Sequence, residues 1–183
     1  MSCLNTIFVL ALAYAGVFLE GTLGGFRSLL GAQFSLLPAL MVYTSLTRGI
    51  GAVALLAVCG GLWLDCLSAN PLGVSVLPLF LIGFLIWRKR GLLLREQAFA
   101  QVALGLAAGA LFPLGTLFLL LNLGGSPLLG WGSLWQWAVA ALSGGLLTPC
   151  CFLLFERARR AFEYPALQQS SFRPDREIKR GRR

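Results

Sequence analysis

The side chains that could do chemistry are few in this sequence of 183 residues. It contains no His, which removes the commonest general base and the commonest neutral metal ligand. Seven acidic residues are present, and none of them pairs at a spacing that would hold a metal ion. No Ser, Thr or Cys has a His to activate it as a nucleophile. These features predict a protein that is not an enzyme and that carries no metal or other cofactor.

The most informative segment is residues 60–73, which read Gly-Gly-Leu-Trp-Leu-Asp-Cys-Leu-Ser-Ala-Asn-Pro-Leu-Gly. Gly61 permits close packing near the end of a helix, and Asp65 lies one turn later. Pro71 sets its own φ, and Gly73 can adopt a positive φ or let the next helix approach. The pattern predicts a rigid loop in which Asp65 caps a helix. A role of the same residues in setting a contact surface for a partner is the other interpretation.

Composition and charge show which elements position this segment. Hydrophobic residues make up 57% of the chain and charged residues only 12%, whereas a soluble domain is about 25% charged. The uncharged stretches predict an all-α integral membrane bundle of six transmembrane helices. The second and fourth are shorter than the ~17 residues a span usually needs, so they either extend into their uncharged flanks or re-enter the membrane. The predicted spans are 3–19, 35–47, 50–66, 74–87, 98–121 and 133–155.

The basic residues predict the orientation of this bundle. With the N-terminus inside, every Lys and Arg except Arg27 lies on the inner side. Arg88, Lys89 and Arg90 form part of an inner loop, where they either determine topology or contact a partner. Residues 156–183 form a basic cytoplasmic tail, which is expected to be disordered and to adhere to anionic lipids. Binding of a cytoplasmic partner is the other interpretation of the tail.

Two further patterns concern the helices themselves. Ala13-Tyr14-Ala15 has the small residues of a signal-peptide cleavage site. Because no Lys or Arg precedes the apolar run, an uncleaved first helix is expected. Gly105 and Gly109 form a small-xxx-small motif, which predicts a close helix crossing within the chain rather than with a partner subunit.

The segment at residues 60–73 resembles the MreD family, the small membrane subunit of the bacterial rod-shape (elongation) machinery. Gly61-Leu62-Trp63-Leu64-Asp65 is similar to the family's Gly-Leu-x-x-Asp stretch, and Pro71-Leu72-Gly73 is similar to its following Pro-Leu-Gly. Residues 38–49 resemble the family's second helix with its Arg-Gly end. The likeness covers roughly residues 35–95, and the tail is longer than the family pattern.

The resemblance implies a six-helix bundle similar to the substrate-binding subunits of energy-coupling vitamin transporters. It implies a scaffold or adaptor role in lateral peptidoglycan synthesis, in the bacterial cytoplasmic membrane with both termini in the cytoplasm. The implied partners are an MreC-like protein, the MreB cytoskeleton, a RodA-type glycan polymerase and a penicillin-binding transpeptidase, with anionic lipids and without nucleic acid. The candidate structural or interaction residues are Gly61, Asp65, Pro71, Leu72, Gly73, Arg88, Lys89 and Arg90.

The alternative function is a small-molecule (vitamin-type) binding subunit of an energy-coupling transporter, which has the same number of spans. Such a subunit needs polar groups that converge on a cavity near the outer face. The sequence offers few polar residues within the predicted spans, and this counts against the alternative.

Overall fold

The computed structural model describes residues 2–22, 35–68, 71–91, 97–124 and 130–162. Over these residues the protein is all-helical, with six α-helices. Their bounds are α1 Ser2–Thr22, α2 Leu37–Thr47, α3 Ile50–Leu67, α4 Val76–Lys89, α5 Ala98–Asn122 and α6 Trp131–Phe162.

A helix covers each of the six predicted stretches, but several bounds differ. Helices α2 and α4 begin at Leu37 and Val76, later than the predicted 35 and 74. Helix α6 continues past residue 155 to Phe162, because residues 156–162 include several Arg and Ala, which are good helix formers. Residues 163–183, which make up most of the predicted tail, lie outside the described residues, and so does Arg27.

Three of the helices contain a segment long and apolar enough to cross a membrane: Ile50–Leu67, Phe99–Asn122 and Trp131–Ala158. The large apolar side chains of Leu142, Leu146 and Leu153 on α6 are exposed. Such exposure is unfavourable in water and favourable against hydrocarbon. These helices indicate a membrane protein.

The described helices alternate in direction. Leu37 at the start of α2 packs against Gly60 near the end of α3, and Val76 at the start of α4 packs against Gly61. The ends of α1 and α3 therefore meet the starts of α2 and α4 at one end of the bundle, here called the Asp65 end. The opposite end holds the ends of α2 and α4 and the start of α3, and is called the Arg48 end.

Helix α2 lies at the centre of the bundle. All of its residues from 37 to 46 are buried, and it contacts each of the other five described helices. A helix that is apolar on every side is usually enclosed on every side. Its 11 residues give a length of about 16 Å, well short of the ~30 Å hydrocarbon core. Protein rather than lipid surrounds this short helix.

Helices α5 and α6 pack through small residues. A Cβ atom on Gly105 would overlap the carbonyl oxygen of Gly144, and one on Gly109 would overlap the carbonyl oxygen of Ala140. Trp137 Nε1 also donates a hydrogen bond across this pair of helices. The predicted close crossing at Gly105 and Gly109 is confirmed, and it lies within the chain.

Candidate functional site

The Asp65 side chain joins the end of α3 to the start of α4. Asp65 is 2% exposed, and its Oδ2 accepts hydrogen bonds from the backbone N–H groups of Gly73 at 2.8 Å and Ser75 at 3.2 Å. Ser75 is the residue that precedes α4, and its own hydroxyl makes no capping bond. The carboxylate therefore caps α4 from a neighbouring helix, where the positive end of the helix dipole favours a negative charge.

Two glycines allow this contact to form. A Cβ atom on Gly61 would lie 2.9 Å from both the backbone N and the Cα of Val76, so a larger residue would push α4 away from Asp65. Gly73 has a φ of +95°, in the region that favours glycine. Its carbonyl oxygen accepts a hydrogen bond from Val76 N at 3.3 Å. The structure thus brings Gly61, Asp65 and Gly73 of the predicted site together in one rigid corner.

The other two residues of the motif lie on the surface of this corner. Pro71 is exposed, and Leu72 is 69% exposed. The neighbouring Cys66 is exposed, and Leu67 is 59% exposed. These four residues, Cys66, Leu67, Pro71 and Leu72, are called the corner surface. They are available for contact, whereas the glycines and Asp65 beneath them are not.

Glu20 was not predicted as a site residue, yet it repeats the arrangement one hairpin earlier. Its Oε1 accepts a hydrogen bond from the backbone N–H of Leu36 at 2.6 Å, and Leu36 is the residue that precedes α2. A Cβ atom on Gly16 would lie 2.6 Å from Leu36 Cδ2. At both Glu20 and Asp65, a glycine four residues before the acid packs against the start of the next helix, and the acid accepts a hydrogen bond from a backbone N–H group there. This spacing, together with the fact that Glu20 is the only acid before Asp65, could have identified it.

Each of the two carboxylates keeps one buried oxygen that has no hydrogen-bond partner among the described residues. These atoms are Glu20 Oε2 and Asp65 Oδ1, and the hydroxyls of Ser35 and Ser75 share the same status. Ser35 adjoins the Leu36 amide that Glu20 binds, and the Ser75 amide itself binds Asp65. A serine hydroxyl rotates and can donate or accept. Each carboxylate thus has a polar group of adaptable geometry close to its binding partner.

The basic triplet at the Arg48 end separates into two kinds of residue. Arg88 and Lys89 are exposed. Arg90 is half-buried, and its Nη1 donates a hydrogen bond to the backbone carbonyl of Arg48 at 3.1 Å. The guanidinium also lies over the ring of Trp87, 5.3 Å from its centroid. Arg90 therefore ties the end of α4 to the end of α2, and only Arg88 and Lys89 are displayed at the surface.

The buried hydroxyls inside the helices are satisfied locally. Thr44 and Ser45 donate to Leu40 O at 2.8 Å and Met41 O at 2.6 Å on their own helix. Thr148 does the same on α6, at 2.7 Å. Hydroxyl side chains inside helices commonly satisfy themselves on their own backbone in this way. Within the described ranges no group of three His, Cys, Asp or Glu side chains could hold a metal ion.

Comparison of the chain with protein-family models, with curated proteins and with solved structures finds no match in any of the three. The resemblance to MreD accordingly depends on the sequence motifs of residues 35–95.

Proposed function

We propose that the chain is a non-catalytic scaffold subunit, similar to MreD, of the machinery that directs lateral peptidoglycan synthesis in rod-shaped bacteria. One observation carries the proposal. Gly61, Asp65 and Gly73, which match the MreD motif, are the residues that set the α3–α4 corner through backbone contacts. The interactions shown for these residues shape the protein, as expected of a subunit that positions other proteins.

Six membrane crossings and a cytoplasmic Arg48 end form part of the proposal. The alternating directions of the six described helices put the start of α1 and the end of α6 at the same end. Arg48, Arg88, Lys89 and Arg90 lie at that end too, so the positive-inside rule orients it towards the cytoplasm. The arrangement would then be similar to the substrate-binding subunits of energy-coupling transporters, as the family resemblance implies.

Partner contacts are proposed for the exposed residues rather than the buried ones. On the outer side, the corner surface offers apolar contact to an MreC-like protein, with Leu72 at its most exposed point. On the cytoplasmic side, Arg88 and Lys89 are free to meet acidic groups or anionic lipids. Through these contacts the chain would assemble with the MreB cytoskeleton, a RodA-type polymerase and a penicillin-binding transpeptidase.

Affinity purification of the tagged protein from its native membranes tests the proposal, with mass spectrometry to identify co-purifying proteins. We expect an MreC-like protein and a wall polymerase or transpeptidase with the wild type. Leu72→Asp should lose the MreC-like protein and rod cell shape, because a charge replaces an apolar contact while the core is unchanged.

Leu123→Asp is the matched control, since Leu123 follows α5 at the Asp65 end and is 64% exposed. It should keep both partner and shape. If both variants lose the MreC-like protein and rod cell shape equally, the corner surface is not the interface. Absence of wall-synthesis proteins from the wild-type sample would reject the scaffold proposal as a whole.

A second candidate function is capture of a small polar molecule as a membrane subunit of an energy-coupling transporter. The observation that favours it is a set of polar atoms at the Asp65 end, on Glu20, Ser35, Asp65 and Ser75, that have no hydrogen-bond partner among the described residues. The same purification distinguishes the two functions. Recovery of ATPase subunits, or of a metabolite in the extract of the purified protein, would favour the transporter subunit over the scaffold.

A further inference from the structure

Three side chains at the Arg48 end bring hydrogen-bond donors and positive charge together. The Arg90 guanidinium lies between the backbone carbonyl of Arg48, at 3.1 Å, and the ring of Trp87, 5.3 Å from its centroid. On these two contacted residues, Arg48 Nε and Trp87 Nε1 are buried, and neither finds an acceptor among the described residues. Buried donors are nearly always paired, because an unpaired one keeps its full desolvation penalty. Two such donors, on the two residues that the Arg90 guanidinium contacts, indicate a site for an external acceptor.

Both partners shown for Arg90 among the described residues are neutral. Its hydrogen bond goes to a neutral carbonyl oxygen, and its stacking partner is a neutral aromatic ring. A guanidinium carries several N–H donors in one plane, so the remaining ones can serve a second acceptor. An anion is the acceptor that best matches a positive guanidinium and the N–H donors of Arg48 and Trp87 that lack an acceptor among the described residues.

The residues that carry these donors lie at the end of the bundle and are partly exposed. Arg48, Trp87 and Arg90 are each only half-buried. The adjoining Gly49 and Gly51 are exposed, and a Cβ atom built on either would meet nothing within 4 Å. Helix α3 starts at this point, and the polarity of its first turn adds to the attraction for an anion.

We propose that Arg48, Trp87 and Arg90 form a binding site for a phosphate group. A phosphate presents several oxygens, so guanidinium groups can bind pairs of them while the indole N–H donates to another. The group can belong to the headgroup of an anionic lipid or to a soluble phosphate compound. This site differs from the general attraction of anionic lipids to Arg88, Lys89 and the basic tail, which requires no defined geometry. It does not depend on the scaffold function.

Thermal unfolding of the purified full-length protein in a non-ionic detergent tests the site, because a bound ligand raises the unfolding temperature. One arm titrates short-chain phosphatidylglycerol, and the other titrates inorganic phosphate at matched ionic strength. The variants are Arg48→Gln and Trp87→Phe. The second keeps an aromatic face for Arg90 and removes only the indole N–H. Arg88→Gln is the control, since it removes the same charge from an exposed neighbouring position.

Saturable stabilisation of the wild type is expected, with a half-saturating concentration that rises about tenfold in Arg48→Gln, from the loss of a charge-assisted hydrogen bond. Trp87→Phe should raise it a few-fold, and Arg88→Gln should leave it unchanged. Stabilisation by the lipid alone identifies a headgroup as the source, and stabilisation by both ligands at similar concentrations identifies a soluble phosphate.

Two results would overturn the site: no stabilisation of the wild type by either ligand, or an equal loss in Arg88→Gln and Arg48→Gln, which would show diffuse charge attraction. If Arg48→Gln does not fold, the proposed site is also overturned when Trp87→Phe has the same half-saturating ligand concentration as the wild type.

Discussion

The two ends of the bundle place opposite charges against opposite helix termini. At the Asp65 end, Glu20 and Asp65 accept hydrogen bonds from backbone N–H groups at the starts of α2 and α4. At the Arg48 end, Arg90 donates to the carbonyl of Arg48 at the end of α2. Each charge thus meets the helix terminus whose partial charge is opposite to its own. The same electrostatic rule stabilises both ends.

The two ends differ in what their charged side chains leave at the surface. The Asp65 side chain is short. Because Gly61, one turn earlier, lets the next helix approach closely, the carboxylate reaches that helix and is buried. The side chains of Arg88 and Lys89 are long, and they remain exposed. Burying a charge is costly without close partners, while a long side chain can keep its charge in water. The comparison therefore assigns shape chiefly to the Asp65 end and charged contacts to the Arg48 end.

The largest expected effect is the loss of the Asp65 carboxylate. Asp65→Ala should lower the free energy of unfolding by about 3 kcal/mol, because two backbone N–H groups, one buried and one part-buried, lose their charged acceptor. Equilibrium unfolding in mixed micelles, followed by helix circular dichroism, measures the change.

Asp65→Asn is the informative companion, since its amide oxygen can replace Oδ2 as the acceptor of the two backbone hydrogen bonds. It should cost about 1 kcal/mol, the value of a neutral rather than a charged acceptor. A loss in Asp65→Asn as large as in Asp65→Ala would mean that the negative charge, and not the hydrogen bonds, holds the corner together.

A smaller effect is expected from two glycines on the same helix at opposite ends. Gly61→Ala should destabilise the protein by about 2 kcal/mol, because the new methyl group would press on the backbone of Val76. Gly51→Ala adds the same methyl group where no atom lies within 4 Å. It should be neutral or up to about 1 kcal/mol stabilising, from helix propensity.

Unfolding measurements on these two glycine variants under identical conditions provide the comparison. Equal stability of Gly61→Ala and Gly51→Ala would show that the start of α4 does not need its close approach to α3.

The smallest expected effect separates Arg90 from its neighbour at the Arg48 end. Arg90→Gln should lower stability by about 1 kcal/mol, from loss of the hydrogen bond to Arg48. Arg88→Gln should leave stability unchanged, because Arg88 is exposed. The unfolding midpoints of the two variants, which have the same net charge, measure the difference. A stability loss in Arg88→Gln equal to that in Arg90→Gln would place the stabilising interaction elsewhere in this loop.

The positions of the helices and part of the site could be predicted from residue type alone. Charges are excluded from hydrocarbon, so the uncharged stretches mark the helices to within a few residues, apart from the extension of α6. Gly61, Asp65 and Gly73 could be singled out because each has a property that few other residues share: no Cβ, a short charged acceptor, or free access to positive φ.

Glu20 and Arg90 show where prediction from the sequence ends. The glycine four residues before Glu20 could single it out as a candidate, but nothing local shows that its carboxylate reaches Leu36, sixteen positions away. Arg90 reads as one of three adjacent bases. Its separate role depends on Arg48, which is distant in the sequence and adjacent only after folding.

The sequence by itself determined that this protein is a helical membrane protein with a glycine-rich interior and opposite charges at the boundaries of its helices. The tertiary structure decided which apolar surfaces are buried against protein and which are exposed. Helix α2 is as apolar as the other helices, yet it is enclosed by them, so that protein rather than lipid surrounds it. Because lipid tails are as apolar as a leucine side chain, hydropathy cannot distinguish the two environments, and only packing of small residues and backbone hydrogen bonding selects between them.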